Sequence, residues 1–434
     1  MDRPRQSEPP PDAVAPLASE GWNYRALMVQ GTFFNAARSL ASPRLVLPFL
    51  YIALGAPTVF AGLIAPLVQF AQLVSQIVAA PVVKSSQTRK WYMVLCSAAM
   101  ACVLALVALA SRDGTPVAVV LGVFLAVALA IGALRGLNTL AYSDLIGRAL
   151  RPETRNRLVF LVSAIAGAVA IAAAWVSPRL AADAEPLHQH VTLLWVGVAI
   201  TGLGALSCVF IREDRAAHAP KRARGIAGFA ADMREGFSRA AGVDWFRRYV
   251  VAQMMLVSVT LAMPFYAVHG ADMHAGKSGS LGAFVVATSV AVMVGAPLWH
   301  RLARRSQRLL LCTGAVITAL AGVWAMVIAV TPGLQTVACH AVVFGLVSLG
   351  GQGVSGARTL YLVNAAPAAD RPYYIAVASG LSGALGVVVA FAFGGLAHLQ
   401  GTEWPVAIVA ALNLAAAWAC ARLATPEELR SPDG

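Results

Sequence analysis

The sequence predicts an all-α integral membrane protein with twelve transmembrane helices in two pseudo-symmetric six-helix bundles. Three observations predict it. The 434-residue chain is 59% hydrophobic and 12% charged, with a mean hydropathy of +0.70, whereas water-soluble domains carry about 25% charged residues. Its apolar residues gather into twelve blocks, each near the ~20 residues that one bilayer crossing requires. Landmarks of the first six blocks recur in the second six. A water-soluble enzyme is thereby excluded.

Residues 1–24 contain Pro9, Pro10 and Pro11 and mixed charge without an apolar run of signal-peptide length, and read as a disordered cytoplasmic tail. The first six spans are expected near 25–54, 57–83, 91–110, 116–142, 157–182 and 191–211. The second six are expected near 246–269, 278–300, 308–330, 334–363, 372–398 and 404–424. The bundles therefore cover 25–211 and 246–424, separated by a polar linker at 212–245 and followed by a tail at 425–434. Within the linker Ile226, Phe229, Met233 and Phe237 recur at helical spacing, which predicts a short amphipathic helix on the inner membrane surface.

The net charge of +13 does not indicate nucleic acid, because the 33 Lys and Arg residues form no aromatic-interleaved patch. Twenty-six of the 33 fall in tails and loops on one side of the twelve-span scheme, and only Arg112, Arg179 and Lys277 fall on the other. The positive-inside rule then makes both termini cytoplasmic. Arg outnumbers Lys by 29 to 4 in an alanine-rich chain, a composition that fits a GC-rich genome and a bacterial inner membrane. Cys96, Cys102, Cys208, Cys312, Cys339 and Cys420 lie inside predicted spans without metal-ligand spacing, and read as small core residues.

The duplication rests on ordered matches. Trp22, Arg25 and Gln30 correspond to Trp245, Arg248 and Gln253 at an offset of 223, and Pro48-Phe49 to Pro264-Phe265 at an offset of 216, so the first span carries seven extra residues. Ala80-Pro81-Val82-Val83 before Arg89-Lys90 parallels Ala296-Pro297-Leu298-Trp299 before Arg304-Arg305. Tyr142, Pro152 and Arg155 parallel Tyr361, Pro367 and Arg371.

With these features the chain resembles the major facilitator superfamily of secondary transporters over roughly residues 22–424. In that family the loop after the second span reads roughly Gly-x-Leu-x-Asp-Arg-x-Gly-Arg-Arg. This sequence retains the basic residues Arg89 and Lys90 but has Ala80 for the first Gly and Lys84 for the Asp, while the second copy keeps Arg301, Arg304 and Arg305 beside Trp299 and His300. The resemblance implies gating roles for these basic loops, and two bundles that open alternately around a central cavity. Paired halves joined by a linker lead to the same expectation.

Four arginines lie inside predicted spans: Arg38, Arg44, Arg135 and Arg358. Each costs at least about 2.5–3.5 kcal/mol in hydrocarbon on insertion scales. All 20 acidic residues fall in tails, loops or span ends, so no mid-membrane carboxylate neutralises them. They must face a wet cavity, bond to neutral polar groups, or receive an anionic ligand. Asn35, Arg38, Ser39 and Ser42 share one helical face, as do Gln69, Gln72 and Gln76, and Gln352, Ser355, Arg358 and Thr359. Arg135, Asn138 and Tyr142 form a shorter stripe, in which Arg135 either contacts ligand or ties to the loop near Asp144. Arg44 either lines the cavity or snorkels outward. The candidate solute-binding set is Arg38, Arg358, Asn35, Gln69, Gln72, Gln352, Tyr361 and Arg135, with helix packing as the competing role for the span-two glutamines.

His340, Asp144 and Asp272 are the candidates for proton coupling. His188 and His190 read as outer-loop residues, and Gly350, Gly351 and Gly353 as helix-packing positions rather than a phosphate loop. No nucleotide loop, catalytic triad or metal cluster is visible, so no cofactor or metal is expected and ATP hydrolysis is excluded as the energy source. The expected protein is a monomeric, non-enzymatic secondary carrier of a small or amphipathic, anionic solute, exchanged for another anion or coupled to protons. An exporter of hydrophobic drugs or natural products and a transporter-fold sensor are the alternatives.

Overall fold

In the computed structural model, residues 19–86, 88–112, 114–150, 152–213, 242–366, 371–425 and 428 are described. The amphipathic linker helix expected around Ile226–Phe237 lies outside them. Among them are fifteen α-helices, one 3-10 turn and no strand. The first half comprises α1 (Glu20–Leu40), α2 (Val46–Ala53), α3 (Thr58–Ala61), α4 (Ile64–Ser85), α5 (Lys90–Ala110), α6 (Val117–Ala149), α7 (Pro152–Leu180) and α8 (Pro186–Val209). The second half comprises α9 (Asp244–Met255), α10 (Val257–His274), α11 (Ser280–Ala303), α12 (Gln307–Val330), α13 (Val337–Ala365), α14 (Arg371–Gln400) and α15 (Glu403–Ala421).

These helices make twelve crossings, because α1–α2, α3–α4 and α9–α10 each form one interrupted crossing. Eleven crossings are long and apolar enough for a bilayer. The exception is the first, which is broken at Ala41–Leu45. The sequence pattern had made 25–54 one continuous span. The break lies between the duplicated landmarks Gln30 and Pro48, where the extra residues of the first copy fall, and the second copy is interrupted only at Leu256. Two further expectations are corrected. α1 begins at Glu20 inside the expected tail, and α8 begins at Pro186, which places His188 and His190 in its first turns rather than in a loop.

Helix packing repeats between the halves. α4 packs on α6 as α11 does on α13, and α5 packs on α6 and α8 as α12 does on α13 and α15. Small residues permit the close approach: a side chain on Gly132 or Gly136 of α6 would collide with the α4 backbone at Val68 or Gln72, and one on Gly350 with Gly314 and Thr318 of α12. Gly353 packs on the Trp299 ring, which gives both glycines the packing role expected of them.

Large apolar residues such as Phe70, Leu95, Leu206, Val388 and Phe391 are exposed on the helix faces, where lipid replaces water. The exposed Trp22, Trp91, Trp175, Trp404 and Trp418 sit near helix ends, where their amphipathic rings suit the headgroup region. Four carry cations: Arg212 over Trp22, Lys90 over Trp91, Arg179 over Trp175 and Arg422 over Trp418.

The two ends of the bundle differ. Call the end where α1 begins and α15 stops the near end. There the halves have separate apolar clusters, one around Leu27, Met93, Leu145 and Leu158, the other around Phe246, Leu311, Tyr361 and Cys420. Toward the far end one continuous cluster joins Phe49, Tyr51 and Leu194 of the first half to Phe284, Phe344 and Val268 of the second. Backbone-level contacts close this end: a Cβ on Gly282 would lie 2.9 Å from the Ala174 carbonyl oxygen, and one on Gly394 would strike the Val59 backbone.

At the near end of the first half, the start of the linker clamps the bundle. Asn23 exchanges hydrogen bonds with the main chain of Arg212, and the Trp22 indole donates to the Phe210 carbonyl. A Glu213 carboxylate oxygen accepts from the backbone N–H groups of Arg89 and Lys90 at 2.6 and 2.9 Å. It thereby satisfies otherwise orphaned donors at the start of α5 and complements the helix dipole. Glu213→Ala is expected to cost about 0.5–2 kcal/mol, the range for a lost helix cap, read as a lower Tm of the purified protein. An unchanged Tm would remove this clamp from the account.

Candidate functional site

The interrupted first crossing is the starting point. Non-helical backbone at membrane depth is tolerated only where it is buried in protein or borders a wet cavity. In the break Leu45 and Leu47 donate to the Ser42 carbonyl and Arg44 N–H to the Ser42 hydroxyl, so the chain turns on itself and Arg44 projects sideways. Arg44 borders a cavity of about 270 Å³ formed by both halves. The first half contributes Arg44 and Gln69; the second contributes Tyr249, Gln253, Thr260, Ser355, Arg358 and Ser379 among others. The cavity lies on the near-end side of the joint apolar cluster, since Tyr249, Leu362 and Ala378 border it close to the near-end termini of their helices.

Arg358 reaches from α13 into this cavity and donates to the Thr260 hydroxyl at 3.4 Å. Its main-chain carbonyl accepts from the Tyr249 hydroxyl at 3.2 Å. The same hydroxyl lies 3.3 Å from Gln253 Oε1, and the Tyr249 ring stacks on Tyr361 with ring centroids 5.0 Å apart. Arg38 and Arg135 share a smaller recess inside the first half, bordered by Phe34, Met100, Leu104 and Thr201.

The four guanidinium groups form one electrostatic unit. Arg44 feels the charges of Arg38 and Arg358, and Arg135 those of Arg38 and Arg44. No carboxylate borders either space among the described residues. Four like charges at membrane depth repel one another, and neutral hydroxyls and amides are all that the surrounding side chains offer them.

The structure brings Arg358, Gln69 and Ser355 to the cavity and Arg38 and Arg135 to the recess beside it. Arg44 borders the cavity rather than snorkelling outward. Three expected residues point elsewhere. Tyr361 is fully buried behind Tyr249 and donates to the Ala424 carbonyl at 2.7 Å. Gln352 packs between α13 and α11, against Gly295 and the Val292 carbonyl. Asn35 donates to the Gly31 carbonyl of its own helix. The backbone of Gln72 lies where α4 meets Gly132 and Gly136. Conversely, Tyr249, Gln253, Thr260 and Ser379 had not been expected at the site. Only Gln253 carried a signal, through its match to Gln30.

Of the loop cations, Arg89 is buried, with a guanidinium nitrogen on the Ser86 carbonyl, and Lys90 donates to the Ile211 carbonyl. Arg301, Arg304 and Arg305 are at the near end of α11, with Arg301 in its last turn, and are solvent-exposed. The side chains of Lys84 and Asp144 lie outside the described residues. His340 is buried against His274, and Asp272 accepts from the Thr402 hydroxyl.

Residues 27–367 match the sequence profile of the Major Facilitator Superfamily. The chain belongs to this family. Uncharacterised proteins of Mycobacterium tuberculosis and Mycobacterium bovis are each 28% identical to it over 405 residues, covering 92% of this chain and 76% of theirs. Among solved structures, a mutant of the nucleoside transporter NupG superposes with a TM-score of 0.70 at 13% identity, covering 92% of this chain and 98% of that one. A D-xylose-proton symporter superposes with a TM-score of 0.66 at 13% identity, covering 94% and 99%. This member of the superfamily is an integral membrane protein with the fold of a secondary transporter.

Proposed function

We propose that this transporter carries an anionic solute by alternating access, binding it between Arg44 of the first half and Arg358 of the second. The observation that supports the reading is the pairing of arginines from opposite halves across one cavity that no described carboxylate borders. An anion there would relieve the repulsion among four cations and receive charge-assisted hydrogen bonds in a fork geometry. Gln69, Gln253, Thr260 and Ser379 supply neutral hydrogen bonds around it. The solved neighbours include carriers named for a nucleoside and for xylose, so the fold by itself selects no cargo.

The cation-rich loops support a cytoplasmic near end under the positive-inside rule. The conformation is then inward-facing, with the joint apolar cluster closing the outer side. The cavity's guanidinium groups, amides and hydroxyls support an anion as cargo, while Val259, Val354, Leu362 and Ala378 leave room for an apolar portion of the same solute.

The test is a thermal-shift screen of the purified protein against carboxylates and phosphates, each paired with a neutral isostere. A ligand at a hundred times its Kd stabilises by about 2.7 kcal/mol. Anions are expected to raise Tm while their isosteres do not, and the stabilising anions are expected to accumulate in proteoliposomes. Equal stabilisation by the neutral partners would overturn the reading.

A further inference from the structure

Three histidines meet at the far end, next to the contact between halves. His274 Nε2 and His340 Nδ1 are 2.9 Å apart and both rings are buried. His269 lies beside them, with its ring centroid 5.6 Å from that of His340. The pattern had shown only His340 inside a span, because the seventh span was expected to stop at 269 while α10 runs on to His274.

The hydrogen bonds fix part of the protonation state. The Thr402 hydroxyl donates its one proton to Asp272 at 3.1 Å, so His269 Nδ1, 3.0 Å from that oxygen, is the donor to it. In the neutral ring His269 Nε2 is then an acceptor, buried without a partner; His274 Nδ1 and His340 Nε2 are also buried without partners. Between His274 and His340 one proton fits in the shared contact. Two would set N–H groups head to head.

The cluster is linked to the seal through aromatic rings. His274 and His340 pack on Phe284, which meets Phe49 of the first half edge-on at 5.9 Å. Phe49 in turn packs on His190, whose Nε2 lies 3.0 Å from the Ala275 carbonyl of the second half, one residue beyond His274. Among the described residues, the charged and titratable groups around the cluster are Asp272 and Lys277 on or just after α10, Glu403 on α15 and His190 on α8, while α11 presents Phe284 and Ser280, whose hydroxyl donates to the His274 carbonyl at 2.9 Å.

We propose that the His269–His274–His340 cluster is a proton-binding site whose loading from the far side opens the far-end seal and couples proton entry to cavity access. Protonation of both His274 and His340 breaks their mutual hydrogen bond, and the freed N–H groups require water, which the closed seal excludes. Opening admits that water. The inference rests on the alternating-access reading but not on the charge of the solute, so the test is made without solute.

Spin labels at Ala182→Cys and Gly333→Cys, on opposite halves at the far end, report the gap in nanodiscs, with the six native cysteines replaced by alanine. Lowering the pH from about 8 to about 5.5, which brackets ordinary imidazole titration, is expected to populate a longer distance. Each linked proton changes the ratio of states by up to about tenfold per pH unit, so loading both His274 and His340 changes it by up to about a hundredfold. His274→Gln and His340→Gln are each expected to abolish the response. In the wild type, ¹⁵N signals of labelled histidine rings are expected to titrate at the same midpoint, a readout independent of how the variants fold. A pH-invariant wild-type distance, rings that do not titrate in this range, or a response lost in Glu403→Gln or Asp272→Asn but intact in both histidine variants would overturn the proposal.

Discussion

Arg358→Gln is expected to weaken binding of the stabilising anion while leaving the ligand-free protein at least as stable as the wild type. A hydrogen bond to a charged group contributes about 1.5–3 kcal/mol, so affinity should fall roughly ten- to hundredfold. Removing one of four mutually repelling cations, however, relieves strain in the empty protein. The opposite signs separate a binding defect from misfolding. Arg44→Gln should behave alike from the other half, and the double variant should fall short of the summed effects because both groups hold one ligand. Arg358→Lys should recover only part of the affinity, since an ammonium keeps the charge and loses the planar fork. Isothermal titration with the anion found in the thermal screen measures all four variants. Wild-type affinity in Arg358→Gln and Arg44→Gln would end the anion assignment.

Gly394→Val is expected to hold the far end open. Gly394 on α14 rests against the Val59 backbone on α3, across the boundary between halves. Overpacking of this kind costs about 1–3 kcal/mol, which would shift the ratio of the two states roughly five- to 150-fold. The far-end spin-label distance should lengthen at every pH and net transport should fall in proportion. A Cβ on the adjacent Gly395 would meet no neighbouring helix within 4 Å, and Gly395→Val should leave both unchanged. Gly132→Val offers a contrast: its collision lies within the first half, so it should lower stability without favouring either state. An unaltered distance in Gly394→Val would show that the seal does not depend on this contact.

The helical framework was legible because lipid demands long apolar blocks and because cations mark their ends. Duplicated landmarks such as Gln30 and Gln253 also located the seven extra residues of the first copy. What those residues do was legible only in part: Ala41–Leu45 reads Ala-Ser-Pro-Arg-Leu, and Pro43 signals a break in the helix, but sequence spacing does not show that the break borders a cavity. The same limit explains Tyr361. Helical spacing puts Tyr361 one turn from Arg358, but its stacking on Tyr249 of another helix turns it from the cavity, and sequence spacing carries no information about the partner. Gln352 likewise shares a polar stripe with cavity residues, yet its side chain meets Gly295 on a neighbouring helix. The histidine cluster was hidden by a boundary drawn five residues short on α10.

The joint apolar cluster has a thermodynamic consequence. Whenever the far end parts, the faces around Phe49 and Phe284 meet water in the opening vestibule, and hydration of apolar surface raises heat capacity by about 0.45 cal/mol/K for each Å². The balance between outward and inward states therefore curves with temperature, and since apolar association weakens on cooling, cold should loosen the outer seal while the paired cations at the cavity hardly notice.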